Sequence, residues 1–130
     1  MQVKHQLRVF NVDEEPFPDI TTISTPWHTP GSVAYVIPDG DNKIVFTGDA
    51  FPHRVLGIEN PWVVTFTETT PEATAPGRYA LLDTVVKEGW QLLCGHVAFP
   101  GLLYVDHEGV NYKTTASAYV GSGAAKSVCA

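Results

Sequence analysis

Two imidazoles and one carboxylate stand at the ends of apolar runs in this sequence, and together they could hold a divalent cation. His28 lies in Thr25-Pro26-Trp27-His28-Thr29-Pro30-Gly31-Ser32, fixed between prolines and a glycine just before the apolar Val33-Ala34-Tyr35-Val36-Ile37. Asp49 follows Ile44-Val45-Phe46-Thr47-Gly48, and His96 follows Leu92-Leu93-Cys94-Gly95. Imidazole nitrogen and carboxylate oxygen are ligands that zinc and related ions accept. A buried carboxylate at the end of an apolar run needs a partner, and a cation supplies one. A single histidine in such a place is more often a hydrogen-bonded structural residue. Three exits with one grammar are what point to a shared polar site.

For those side chains to meet, the apolar runs must be neighbouring strands. Val33–Ile37 and Lys43–Thr47 flank Pro38-Asp39-Gly40-Asp41-Asn42, a loop of turn formers that predicts a hairpin. In an antiparallel pair, His28 before the first strand and Asp49 after the second emerge at the same end. Gln91–Cys94 is the strand that would deliver His96. Thr70-Pro71-Glu72 has the cap, proline and early acid of a helix start. Pro76-Gly77 then predicts an interruption, with a restart near Arg78 and a stripe of Tyr79, Leu82, Val85 and Val86 ending at Gly89. Elsewhere, Leu7–Val12 alternates as a strand, Asp13–Pro18 reads as a solvated turn, and Ile20–Ser24 is a short strand. Ala50–Asn60 is expected to be a loop and Pro61–Phe66 an extended piece. Leu102–Asp106 and Val110–Lys113 form a terminal hairpin, and residues 114–130 a disordered tail.

The site segments resemble the metallo-β-lactamase superfamily of dinuclear hydrolases, and within it the branch that includes methyl parathion hydrolase. Thr25–Gly31 resembles the family's TPGHTPG turn, with Trp27 in place of a glycine. Phe46–Ala50 resembles its FTGDA segment, and Gly95–Leu102 its last ligand followed by an FPGLG-type loop. The likeness runs from Leu7 to Lys113. It implies an α/β fold over residues 1–113, equivalent to the C-terminal half of the αββα sandwich: a mostly antiparallel sheet with a helix on one face. It also implies zinc or another divalent transition metal, as one or two ions, with His28 on the first, His96 on the second and Asp49 bridging. The activity implied is metal-dependent hydrolysis of a small-molecule ester, lactone or phosphotriester by activated water. Trp27, His53 and Phe99 become candidates for the pocket wall or for support of the ligands.

The sequence also departs from that family. Its histidines are His5, His28, His53, His96 and His107, no two of them one residue apart, so the family's first metal motif, H-x-H-x-D-H, is absent. Leu103-Tyr104 replaces a Gly-His pair of the family loop. The isolated chain is therefore expected to be weak or inactive, and the alternative is a non-catalytic, truncated or oligomeric module. Half a sandwich leaves one sheet face bare, so either self-association or a missing N-terminal half is expected to cover it.

Composition narrows the classes further. A net charge of −6 over 130 residues offers no basic surface to nucleic acid, and none is expected as a partner. An apolar fraction of 44% suits one globular domain. Cys94 and Cys129 do not make a disulfide framework. The first ten residues lack the apolar core of a secretion signal, and no run approaches membrane-spanning length. A cytoplasmic chain without a membrane partner is the expectation.

Overall fold

The computed structural model describes residues 7–12 and 14–117. Six strands form one sheet in chain order: β1 (Thr21–Ser24), β2 (Val33–Asp39), β3 (Asn42–Phe46), β4 (Gln91–Leu93), β5 (Leu102–Glu108) and β6 (Asn111–Ala116). Neighbours are antiparallel except β3 and β4, which run parallel with helix α1 (Pro71–Glu88) lying between them in sequence. Tight turns can join antiparallel strands, whereas a parallel pair needs a long crossover, and α1 supplies it.

Alternation along the strands divides the sheet into two faces. Val36, Val45, Leu92 and Leu103 stand in register across four strands, all buried. With Leu81, Leu82 and Val85 of α1 they belong to one hydrophobic core. One residue along, Tyr35, Phe46, Leu93 and Leu102 are in register on the opposite face, and none of them is fully buried. The architecture is thus the expected α/β one, and the face away from the core carries an apolar row.

Several local expectations are corrected. Pro76-Gly77 does not interrupt α1, which runs unbroken to a left-handed Gly89 cap at φ 68°. An interior proline costs a helix about 3 kcal/mol, and here the residues after it are anchored tightly. Gly77 lies so close over Trp27 that a β-carbon would sit 2.3 Å from ring atoms, and the Arg78 side chain is fully buried. Leu7–Val12 forms no strand. Its alternation meets no partner ladder, and its ties to the sheet include a Thr22 hydroxyl donating to the Val12 carbonyl and Phe10 leaning on Tyr35.

The stretch Ala50–Asn60 is not all loop, because Arg54–Glu59 winds into a short π-helix. Pro61–Phe66 forms no strand: Pro61, Trp62 and Phe66 lie in turns, and Val63–Thr65 between them is irregular. The β2–β3 connection is tighter than expected: Asp39 pairs with Asn42, leaving only Gly40 and Asp41 in the turn, with Gly40 at φ 59°. At the other end β6 continues to Ala116, past the expected boundary at Lys113. Asp13 of the acidic turn and residues 118–130 of the tail lie outside the described residues. No helix among the described residues is long and apolar enough to cross a membrane.

Candidate metal centre

Strand order brings the three exits together. Tyr35 of β2 pairs with Phe46 of β3, and Phe46 with Leu93 of β4. The start of β2 therefore lies beside the ends of β3 and β4, so the chain bearing His28, Asp49 and His96 emerges along one edge of the sheet.

Each carrier has its own local lock. The His28 turn is closed by Thr25 N–H donating to the Ser32 carbonyl and Ser32 N–H to the Thr29 carbonyl, both at 2.9 Å. Asp49 follows Gly48, whose φ of 51° favours glycine, and Ala50 N–H then bonds back to the Thr47 carbonyl at 3.1 Å. His96 lies on the loop after β4, which closes through Cys94 N–H to the Gly101 carbonyl at 2.9 Å.

Both oxygens of Asp49 face an imidazole. His96 Nε2 is 2.9 Å from Oδ1, and His28 Nε2 is 3.5 Å from Oδ2. Because an ionised carboxylate can only accept, the shorter contact makes His96 Nε2 the donor. The mouth is open: Asp49 is 58% exposed and His96 48%, while His28 is only 23% exposed.

Behind the mouth the side chains are buried. Arg78, entirely buried, donates from Nε to the Ala50 carbonyl at 3.0 Å and from Nη1 to the Val63 carbonyl at 2.7 Å. Its Nη2 lies 2.6 Å from Oε1 of Glu68, which is equally buried. Burial pulls the Arg78 guanidinium below its usual pKa, against the pull of Glu68 in the other direction. Trp27 Nε1 donates to the same Ala50 carbonyl at 3.2 Å. Glu68 Oε2 in turn lies 3.8 Å from His28 Nδ1.

The donor set, two imidazoles and a carboxylate, is one that a zinc-type ion accepts. The buried Nδ1 of His28 is one of the side-chain atoms with no hydrogen-bond partner among the described residues, which leaves that ring unanchored on its inner side. Even so, no group of three or more His, Cys, Asp or Glu among the described residues is disposed as a ready cation cage. His96 bonds directly to Asp49, so a cation would have to displace that proton.

The family profile described as the metallo-beta-lactamase superfamily matches residues 3–118. The chain belongs to the metallo-β-lactamase superfamily. Among solved structures it is similar to AidC, a dizinc quorum-quenching lactonase in complex with a product, N-hexnoyl-L-homoserine. That likeness has a TM-score of 0.80 at 16% identity and covers 92% of this chain and 40% of AidC. It is also similar to AbOPH, a hydrolase in the beta lactamase superfamily, with a TM-score of 0.77 at 20% identity, covering 86% of this chain and 38% of that one. At such identities the likeness is one of fold, and the chain spans about two fifths of either neighbour. The search of curated proteins gives no match.

Set in this superfamily fold, the other expected site residues go separate ways. Trp27 is buried under α1, joining the core rather than the mouth. His53 is exposed and caps the π-helix, its Nδ1 accepting from Val55 and Leu56 N–H at 3.1 and 3.2 Å. Phe99 stands 90% exposed on the His96 loop. Sequence reading missed Glu68 and Arg78. Arg78 did carry a signal, since Thr74, Arg78, Leu81, Leu82 and Val85 share one helical stripe and all are buried. An arginine on such a stripe implies a buried acid nearby.

Proposed function

We propose that this superfamily member carries part of a metal-dependent hydrolase site, with His28, Asp49 and His96 as ligands for zinc or another divalent transition metal. One observation supports it above the rest: three side chains from separate strand exits converge so that both Asp49 oxygens face imidazole nitrogens, at 2.9 and 3.5 Å. When bound, the ion would supply Lewis-acid polarisation and water activation near neutral pH. The chain's own residues would hold and orient it. Asp49 offers two oxygens at the open end, His28 approaches from the protected side, and His96 from the exposed loop. The substrate class is a small ester, lactone or phosphotriester, and kinship with the methyl parathion hydrolase branch rests on the TPWHTPG, FTGDA and GHVAFPGL segments. The apolar row Tyr35, Phe46, Leu93 and Leu102 supports a covering layer on that face, with self-association as the form expected of this chain.

A non-catalytic module is the second reading, and the direct His96–Asp49 bond favours it, since the carboxylate already has a partner without any ion. Metal analysis of the purified full chain, after dialysis against zinc and removal of free ions, separates the two. Bound zinc in the wild type that falls sharply in His28→Ala supports the hydrolase site. Zinc absent from both leaves the inert module.

A further inference from the structure

The geometry points to Glu68, clamped by Arg78, as the positioning residue that fixes the tautomer of His28 and so aims its Nε2 lone pair at the ion site; this inference rests on the metal reading above. Glu68 was in no sequence motif, and its side chain is wholly buried. Oε1 is saturated, accepting from Arg78 Nη2 at 2.6 Å and from Thr65 Oγ1 at 3.5 Å. Oε2 has no hydrogen-bond partner among the described residues, and neither has His28 Nδ1, yet the two lie only 3.8 Å apart. Two buried polar atoms left over on facing side chains, one an acceptor and one able to donate, are half of a contact that a small rotation completes.

Electrostatics selects one arrangement. A neutral imidazole carries a single N–H, and a carboxylate oxygen offers only lone pairs. A bare Nδ1 would set lone pair against lone pair in a dry pocket where repulsion is poorly screened, so the proton belongs on Nδ1. Nε2 is then bare, 3.5 Å from Oδ2 of Asp49, whose exposure lets solvent screen the repulsion there as it cannot at Glu68. Two acceptors facing one another across the mouth are what a cation between them relieves. Carboxylate partners of this kind orient metal-binding imidazoles and raise their basicity.

The clamp also explains why Glu68 stays where it is. Arg78 grips the Ala50 carbonyl, next to Asp49, and the Glu68 carboxylate, next to His28, from one guanidinium. Backbone bonds pin the segment as well: Thr69 N–H donates to the His28 carbonyl at 3.3 Å and Thr70 N–H to the Trp27 carbonyl at 3.1 Å. A single rigid fork thus references two of the three proposed ligands to helix α1.

Two-bond ¹H–¹⁵N correlation of the His28 ring, on the metal-free full chain about two pH units above the ordinary histidine value, reads the tautomer directly. The wild type should show Nδ1–H. Glu68→Gln should move the ring toward Nε2–H and weaken zinc binding, measured by competition with a chromophoric chelator, by about 10- to 100-fold. Because Glu68→Gln strands the buried Arg78 charge, the same readings are taken on the double variant Glu68→Gln with Arg78→Met. A wild-type ring protonated at Nε2, or variants that change neither the tautomer nor zinc affinity, overturns the inference. If the wild type binds no zinc at all, the metal reading fails by itself, and the tautomer shift still decides the role of Glu68.

Discussion

Two carboxylates flank His28, and the protein treats them in opposite ways. Glu68 is sealed inside against Arg78, while Asp49 is 58% exposed and its charge-pair partners among the described residues are imidazoles. Arginine is a permanent cation. Glu68 therefore has a fixed counter-charge and acts as an anchor, whereas histidines give Asp49 no fixed positive charge. The difference separates a buried back, whose parts cannot exchange, from an open mouth, where the proposed cation would enter. It also ranks the proposed ligands: the Ala50 carbonyl beside Asp49 is held by Arg78 and the His28 carbonyl by Thr69 N–H, but the described polar contact of the His96 ring is with Asp49.

That contrast is broken hardest from the back. Arg78→Ala leaves Glu68 buried and uncompensated and the Val63 carbonyl without the Arg78 donor, while Ala50 keeps Trp27 Nε1; a loss of about 3–5 kcal/mol in denaturant unfolding is expected. A loss below about 1 kcal/mol would mean that Glu68 escapes to solvent and is no anchor. Gly77→Ala is expected to cost less, about 1–3 kcal/mol, because the new methyl must push Trp27 from its place against α1. Tryptophan fluorescence of the folded variant should report that shift, and an unchanged spectrum would argue that the helix moves instead.

At the mouth the same logic gives the smallest stability effect. Asp49→Asn should change stability by no more than about 0.5 kcal/mol, since an exposed side chain is altered with little change of shape. Zinc binding should nevertheless be lost. A variant both strongly destabilised and still metal-binding would reverse the roles assigned to the two carboxylates.

The mouth was legible in the sequence because its signals are local. Apolar runs that stop at Gly48-Asp49 and Gly95-His96, with a hairpin between His28 and Asp49, fix which strand ends carry polar groups, and the observed pairing of Phe46 with Leu93 completes the approach. The anchor was not legible, because Glu68 sits in a threonine-rich stretch whose docking depends on a helix residue ten positions later. Pro76 misled for a related reason: its local cost is real, but Trp27 and Arg78 hold the helix from outside it. The alternation of Leu7–Val12 failed in the opposite sense, a local pattern that forms no ladder with any strand among the described residues. His53, a polar residue close to Asp49 in sequence, turned out to cap a helix because its ring meets two free N–H groups there.

X-ray absorption at the zinc edge of the zinc-loaded full chain tests the central claim most directly. The account predicts nitrogen and oxygen neighbours at about 2.0–2.2 Å, with imidazole outer-shell scattering from two rings that falls to one in His28→Ala. Zinc surrounded by water oxygens alone, or scattering unchanged in His28→Ala, would contradict it.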